Sequence, residues 1–211
     1  MKILLIGAGN MGKRHGKILN SLGFTDLHYL DPESKKKRFR LKEIYSSFEE
    51  LNSQDFQGAI ISSPANHHFE GVKFCLSRNL PFMLEKPLSH KSKNWRSLTN
   101  SIETKNLKNF VAYPRRFGDA YKYIKTCIEK KKIGEIKFVF SNFSQDYRKY
   151  RPDYENTYYV NKDMGGGIIL DALSHHLDLM IYFFGKIKKI KSLSKNIEIK
   201  NSDCEDFAIL N

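Results

Sequence analysis

Cysteine is scarce in this chain: Cys75, Cys127 and Cys204 are the three present, far apart and without a CxxC pair. An odd, dispersed set excludes a disulfide framework and offers no zinc-ligand spacing, so no metal is expected. Long apolar runs are missing as well. None approaches the roughly 20 residues a membrane helix needs, and the apolar start at residues 1–6 is too short for the core of a signal peptide before it meets Gly7-Ala8-Gly9. The expectation is a soluble protein of the cytoplasm with no membrane partner. Acidic residues are few beside basic ones, 23 against 36, for a formal charge of +13. Such an excess suits nucleic acid, an acidic membrane or an anionic small molecule. The lysines are scattered, however, the dense runs at 35–38 and 130–132 fall where helices face solvent, and no nucleic-acid module is present. No nucleic-acid partner is expected.

With 40% hydrophobic and 13% aromatic residues the chain is not a disordered one, and 211 residues suffice for one domain or two. Short apolar runs at 3–6, 27–30, 59–61, 82–84 and 110–112 alternate with amphipathic stretches at 11–22, 67–78 and 93–105. That alternation reads as βαβ units around a parallel, doubly wound sheet. Beyond a helix at 119–131 the pattern is less regular. It comprises a strand at 135–143, a long aromatic loop at 144–164, an amphipathic helix from the Gly165-Gly166-Gly167 triplet to Gly185, and strands at 187–193 and 207–210.

The first motif is KILLIGAGNMG, a strand followed by Gly7, Gly9 and Gly12 in GxGxxG spacing, with Asn10 and Met11 opening the next helix. Glycine permits the tight turn, the approach of backbone to pyrophosphate and close helix–strand packing, while the helix N-terminus attracts phosphate. Asp31 ends the second strand about 20 residues further on, where a ribose-binding acid is expected. Two readings of Asp31 stand. As a ribose ligand it favours NAD over NADP by repelling a 2′-phosphate, although Ser34, Lys35 and Lys36 nearby suit that phosphate; alternatively it caps the helix after Pro32.

Ligands sit at the carboxyl ends of parallel strands, and two further motifs lie there. In SSPANHH, Ser63, Pro64 and Asn66 leave the third apolar strand, and His67 or His68 either faces a cofactor or is satisfied by local backbone. In MLEKPLS, Glu85 and Lys86 leave the fourth before Pro87, which holds the preceding lysine extended. In GGGIILDALSHHLD, Asp171, His175 and Asp178 share one helix face and His176 is turned about 100° away. A histidine there suits proton transfer at an alcohol oxygen, and an ammonium such as Lys86 suits the developing alkoxide. A buried histidine bonded to Asp171 is the competing reading.

With GAGNMGKRH, SSPANHH, EKP, AYPRRF and the GGG–Asp171–His175–Asp178 series in this order, nearly the whole chain resembles the glucose-fructose oxidoreductase and inositol dehydrogenase, or Gfo/Idh/MocA, family. The resemblance implies an N-terminal Rossmann domain (1–118) and a substrate and oligomerisation α+β domain (119–211) with a mostly antiparallel sheet, here incomplete. It implies NAD or NADP as cofactor, with NAD favoured by Asp31, held by Gly7, Gly9, Asn10, Met11, Gly12, Asp31, Ser63, Pro64, His68, Glu85 and Arg116. It further implies catalysis by Lys86, Asp171 and His175 on a carbohydrate substrate. The aromatic stretch DYRKYRPDYENTYY lies where family members close over substrate, which makes Arg151, Tyr154 and Tyr158 candidates for binding hydroxyls or phosphates; a charged surface loop is the other reading. Family members usually continue beyond the apolar strand 207–210, and Ala172 and Leu173 replace a glycine frequent before Ser-His. An open sheet edge invites association. Two expectations follow: a homo-oligomer completed through the second sheet, or a shortened, non-catalytic nucleotide-binding or interaction protein.

Overall fold

Ile3–Ile6 (β1) is buried at all four positions, as a strand with helices over both sheet faces requires. It is flanked by Leu27–Leu30 (β2) and Gly58–Ile61 (β4), and the full sheet adds Glu43–Tyr45 (β3), Phe82–Glu85 (β5) and Asn109–Ala112 (β6) in the order β3-β2-β1-β4-β5-β6. Every pairing is parallel. The order reverses beside β1, and this is the doubly wound topology. Two apolar clusters form the core, one around Leu4, Ile6, Ile61, Val72 and Leu84, the other around Ile3, Leu5, Leu27 and Tyr29. Leu4 and Leu5 point to opposite faces and are both fully buried, each worth about 1.5–3 kcal/mol of transfer free energy. Three helices belong to this part: Asn10–Ser21 (α1), His68–Ser77 (α2) and Trp95–Thr104 (α3).

The computed structural model describes residues 1–33, 43–91, 95–150 and 152–211, and these divide into two units, Met1–Ala112 and Tyr113–Asn211. Ser34, Lys35, Lys36 and Arg151, singled out above, lie outside the described residues. The three-residue strand β3 is an addition to the expected set: it is too short to show an alternating pattern, and it forms because β2 offers it a ladder.

The second unit contains Asp119–Glu129 (α4), the single turn Tyr147–Tyr150 (α5), Ser174–Phe184 (α6) and an antiparallel ribbon of Ser192–Lys195 (β7) and Phe207–Leu210 (β8). Three expectations are corrected here. Residues 135–143 are not a strand: no ladder partner exists for them among the described residues, and Phe138 and Phe140 face solvent at 82% and 79% exposure. The strand expected at 187–193 is displaced to 192–195, because register is set by pairing with β8, Ser192 opposite Leu210, and residues 187–190 have no ladder partner among the described residues. The stretch 144–164 is not a plain loop. It coils through α5 and three 3₁₀ turns around a nest in which Tyr147 stacks on Tyr159 at 3.9 Å and meets Tyr154 edge-on.

Lys162–Phe184 is also long and apolar enough to cross a membrane by length and composition, contrary to the expectation from runs alone. It is not one helix. Gly165 and Gly167 have φ of 86° and 94° and break it, leaving the five-residue π turn Ile169–Leu173 running straight into the 11-residue α6, together about 24 Å against the ~30 Å of a bilayer core.

Candidate functional site

Because Ile6 pairs with Leu30 on one side and Ile61 on the other, Gly7, Asp31 and Ser62 emerge next to one another. Gly7 has φ +102°, and a Cβ there would stand 2.6 Å from Ser63 N; on Gly12 it would stand 1.9 Å from Gly7 O. Both positions are therefore closed to side chains. Gly9 differs, since a Cβ there would have nothing within 4 Å. It caps α1, whose first turn has no acidic residue and no side-chain cap, so its N–H groups and dipole face an open space that suits an anion. Asn10 and Met11 are exposed beside it.

Asp31 ties this turn together. Its Oδ2 accepts from Ala8 N and its Oδ1 from Glu33 N, each at 2.9 Å. Ser62, the first residue of SSPANHH though not one of its candidates, donates to Gly7 O at 3.1 Å and braces the same turn. Ser63 Oγ and Asn66 Oδ1 are buried without a hydrogen-bond partner, and Pro64 is exposed between them. An open glycine cradle, a fixed carboxylate at its edge and unsatisfied polar atoms on the next strand end fit a dinucleotide.

His68 is buried, and both ring nitrogens meet carbonyls: Nε2 to Ser63 O and Nδ1 to Pro87 O, each at 2.9 Å. It thus lies between the loop after β4 and the loop after β5 and, as a neutral ring with one N–H, donates to one of the two carbonyls, Ser63 O being local backbone and Pro87 O a distant one; His67 is exposed. Glu85 Oε1 pairs with His15 Nε2 at 2.7 Å, both side chains largely buried, and Glu85 Oε2 accepts from Lys86 N. The end of β5 is thereby fastened to α1. His15 stood in GKRH without an assigned role, and nothing local marks a partner 70 residues away. The Lys86–Pro87 peptide is cis. Cys75 lies in the core with its thiol pushed up to about 12 by burial, which leaves it inert.

In the second unit, the turn after β6 runs alongside α6. Tyr113 meets His175 edge-on at 5.8 Å, Arg115 Nη1 donates to His176 Nε2 at 3.0 Å, and Arg116 grips Asp178 through Nε and Nη2 at 2.8 and 2.6 Å. Arg116, expected among the cofactor contacts, is thus committed to a buried carboxylate, with its guanidinium over the Tyr182 ring. Deleting one partner of a buried pair strands the other, at about 3–5 kcal/mol. The Arg116 side chain is 36% exposed, so Arg116→Ala should cost less, about 2–3 kcal/mol in urea unfolding. The double substitution Arg116→Met/Asp178→Leu should recover most of that loss.

The helix expected from the glycine triplet starts as a π turn, Ile169–Leu173, before α6. This alters the register between Asp171 and His175 that a plain α-helix implies, at a kind of bulge common at functional sites. Asp171 Oδ1 accepts from Tyr158 Oη at 2.7 Å, bringing two expected substrate residues together. Tyr154, the third aromatic candidate, is 9% exposed and donates to Glu155. It serves the tyrosine nest. Glu205, also unforeseen, caps the helix start: its carboxylate accepts from Ile169 N, and a Cβ on Gly167 would meet it at 2.4 Å.

Burial lowers the pKa of both His68 and His176, and for His176 the Arg115 charge adds to the effect. An imidazole that titrates lower folded than unfolded binds its proton more readily in the unfolded chain. Stability is then present above the unfolded pKa of ~6.5 and lost as pH falls from there through the lower folded-state pKa. The urea midpoint should drop between pH 7.5 and 5.5, and His176→Gln, which still accepts from Arg115, should flatten the drop.

Comparison with known proteins adds the decisive observation. Residues 1–113 match the model of the oxidoreductase family with an NAD-binding Rossmann fold, and residues 121–211 match the GFO/IDH/MocA C-terminal domain. The chain belongs to the Gfo/Idh/MocA oxidoreductase family. Similar Gfo/Idh/MocA proteins include scyllo-inositol 2-dehydrogenase (NADP(+)) IolW of Bacillus subtilis, 23% identical over 90% of this chain and 53% of that protein. A trans-1,2-dihydrobenzene-1,2-diol dehydrogenase of Xenopus laevis is 32% identical over 62% of this chain and 38% of its own length. The chain thus spans about half the length, or less, of these relatives. Among solved structures, levoglucosan dehydrogenase with NADH and levoglucosan superposes at a TM-score of 0.81 with 19% identity, over all of this chain and 62% of that one. The WlbA dehydrogenase of Bordetella pertussis, with NADH and UDP-GlcNAcA, gives 0.79 with 16% identity and the same coverage. These likenesses show the shared Gfo/Idh/MocA fold.

Proposed function

We propose that the chain acts as an NAD(P)-dependent dehydrogenase or reductase on a secondary hydroxyl or ketone of a sugar, cyclitol or nucleotide sugar. The observation that carries this is the glycine cradle with its fixed Asp31, in a chain of an oxidoreductase family. Gly7, Gly9, Asn10, Met11, Gly12, Asp31, Ser63, Pro64 and Glu85 form or flank the dinucleotide position, and His68 holds the strand-end loop beside them; Arg116 holds the turn after β6 to α6 within the second unit. A nicotinamide bound there supplies the hydride acceptor or donor. His175 takes or returns the proton of the substrate oxygen, Lys86 stabilises charge on that oxygen, and Asp171, steadied by Tyr158, orients the substrate hydroxyls. Relatives named for scyllo-inositol, a dihydrodiol and levoglucosan all handle hydroxyl-bearing rings, which supports this substrate class.

The fixed negative charge of Asp31 favours NADH. Titration followed by nicotinamide fluorescence should give NADH binding about tenfold tighter than NADPH, one such factor being 1.4 kcal/mol, and Asp31→Ser should erase the difference. Turnover is then sought across a panel of cyclitols, sugars and nucleotide sugars. Binding without turnover on the whole panel would replace the enzyme reading with that of a non-catalytic nucleotide-binding protein. We place the protein in the cytoplasm and infer self-association through the β7–β8 ribbon, where the paired Leu193 and Ile209 are 50% and 53% exposed. Sedimentation equilibrium tests this, and a monomer at all concentrations would refute it.

A further inference from the structure

The two adjacent arginines of the turn at 113–116 are treated differently by the fold. Arg116 is neutralised by Asp178 through two hydrogen bonds. Arg115 is half-buried, and among the described residues its guanidinium meets no carboxylate; its polar partner is the His176 ring, at 3.0 Å. A guanidinium has five N–H donors and no acceptor, so His176 Nε2 must be the accepting nitrogen and the ring proton sits on Nδ1. The ring is held on another side by Phe143, at 5.0 Å between centroids. One donor of five is used by a neutral group, and the charge is left without a counter-ion in a partly desolvated place. Such a charge is costly unless an anion completes it, and a planar guanidinium fork matches a carboxylate or phosphate.

We propose that Arg115, oriented by His176, is an anion subsite of the substrate position, so that the preferred substrate carries a carboxylate or phosphate group. Tyr113 sits on His175, and Arg115, two residues along the same turn, sits on His176, so the guanidinium stands on the α6 face about 100° round from His175, at the edge of the position assigned to substrate. The inference rests on the oxidoreductase reading for the identity of the bound molecule as substrate, though not for the binding itself.

The test is calorimetric binding of glucuronate, glucose 6-phosphate and glucose to the full chain loaded with NADH, for the native protein and Arg115→Gln. Glutamine keeps a donor toward His176 and removes the charge; Arg115→Lys, which keeps the charge, serves as a second variant. At least one acidic sugar should bind tenfold or more tighter than glucose, and which one it is distinguishes carboxylate from phosphate. Arg115→Gln should bring it to parity with glucose at unchanged NADH affinity, and Arg115→Lys should retain part of the preference. Equal binding of all three sugars, binding of none, or a preference that survives Arg115→Gln would overturn the subsite. An acidic preference without turnover of any sugar would remove the enzyme reading and leave the subsite standing. Turnover of neutral sugars without that preference would do the reverse.

Discussion

Replacing Lys86 by alanine, or His175 by asparagine, is expected to lower kcat about a thousandfold while NADH binds as before. A positioned acid–base group contributes about 10²–10⁴ and a charge stabiliser of the developing alkoxide about 10²–10³. Neither belongs to the glycine cradle, so the loss should fall on kcat and spare cofactor affinity. Lys86 leaves β5 at a point fastened by His15–Glu85 and flanked by the His68 ring, which gives its ammonium a fixed origin. His175 sits on α6, which Arg116–Asp178 clamps three residues further on. Lys86→Arg separates charge from shape: a compact ammonium and a planar fork place charge differently, so this variant should recover only part of the loss. Single-turnover measurements, which isolate chemistry from product release, are the suitable readout. Should both Lys86→Ala and His175→Asn turn over at the native rate, the roles assigned to these residues are wrong.

The first unit was legible because its signals are local. Apolar runs of three or four residues, four of the five followed by a helical period, set five of the six strands to within a residue, and the glycine spacing announced the turn between β1 and α1. What the runs do not reveal is who pairs across the fold. His15 meets Glu85 from 70 positions away, and Glu205 caps a helix whose first bonded amide is 36 residues earlier. The second unit read less well for the same reason. Residues 135–143 have a strand's alternation, but a strand exists only with a neighbour to take its backbone hydrogen bonds, and β7 takes its bounds from β8 rather than from its own sequence. The candidate site divides along this line. Residue types and order pointed to Lys86, Asp171 and His175, whereas the commitment of Arg116 to Asp178, the π turn and the open valence of Arg115 depend on three-dimensional register.

The glycine cradle yields the sharpest separation between folding and binding. Gly12→Ala would put a carbon 1.9 Å from the Gly7 carbonyl, backbone against backbone, so α1 must move by an ångström or more relative to the turn. Overpacking of that kind costs about 1–3 kcal/mol or more, and an ångström of misplacement costs about a hundredfold where positioning matters. This variant should therefore be less stable in urea and bind NADH at least a hundredfold more weakly. Gly9→Ala meets nothing within 4 Å, and its φ of −69° suits any residue. Its stability should stay within about 1 kcal/mol of the native chain, since Gly and Ala differ modestly at a helix N-cap. Its NADH affinity should nevertheless fall by a similar factor, because the added methyl group occupies the space where backbone meets pyrophosphate. The pair is informative because packing alone predicts opposite outcomes for the two glycines, while a phosphate seat predicts lost binding for both. If Gly9→Ala binds NADH as tightly as the native chain, the open space at the head of α1 is not where the dinucleotide rests.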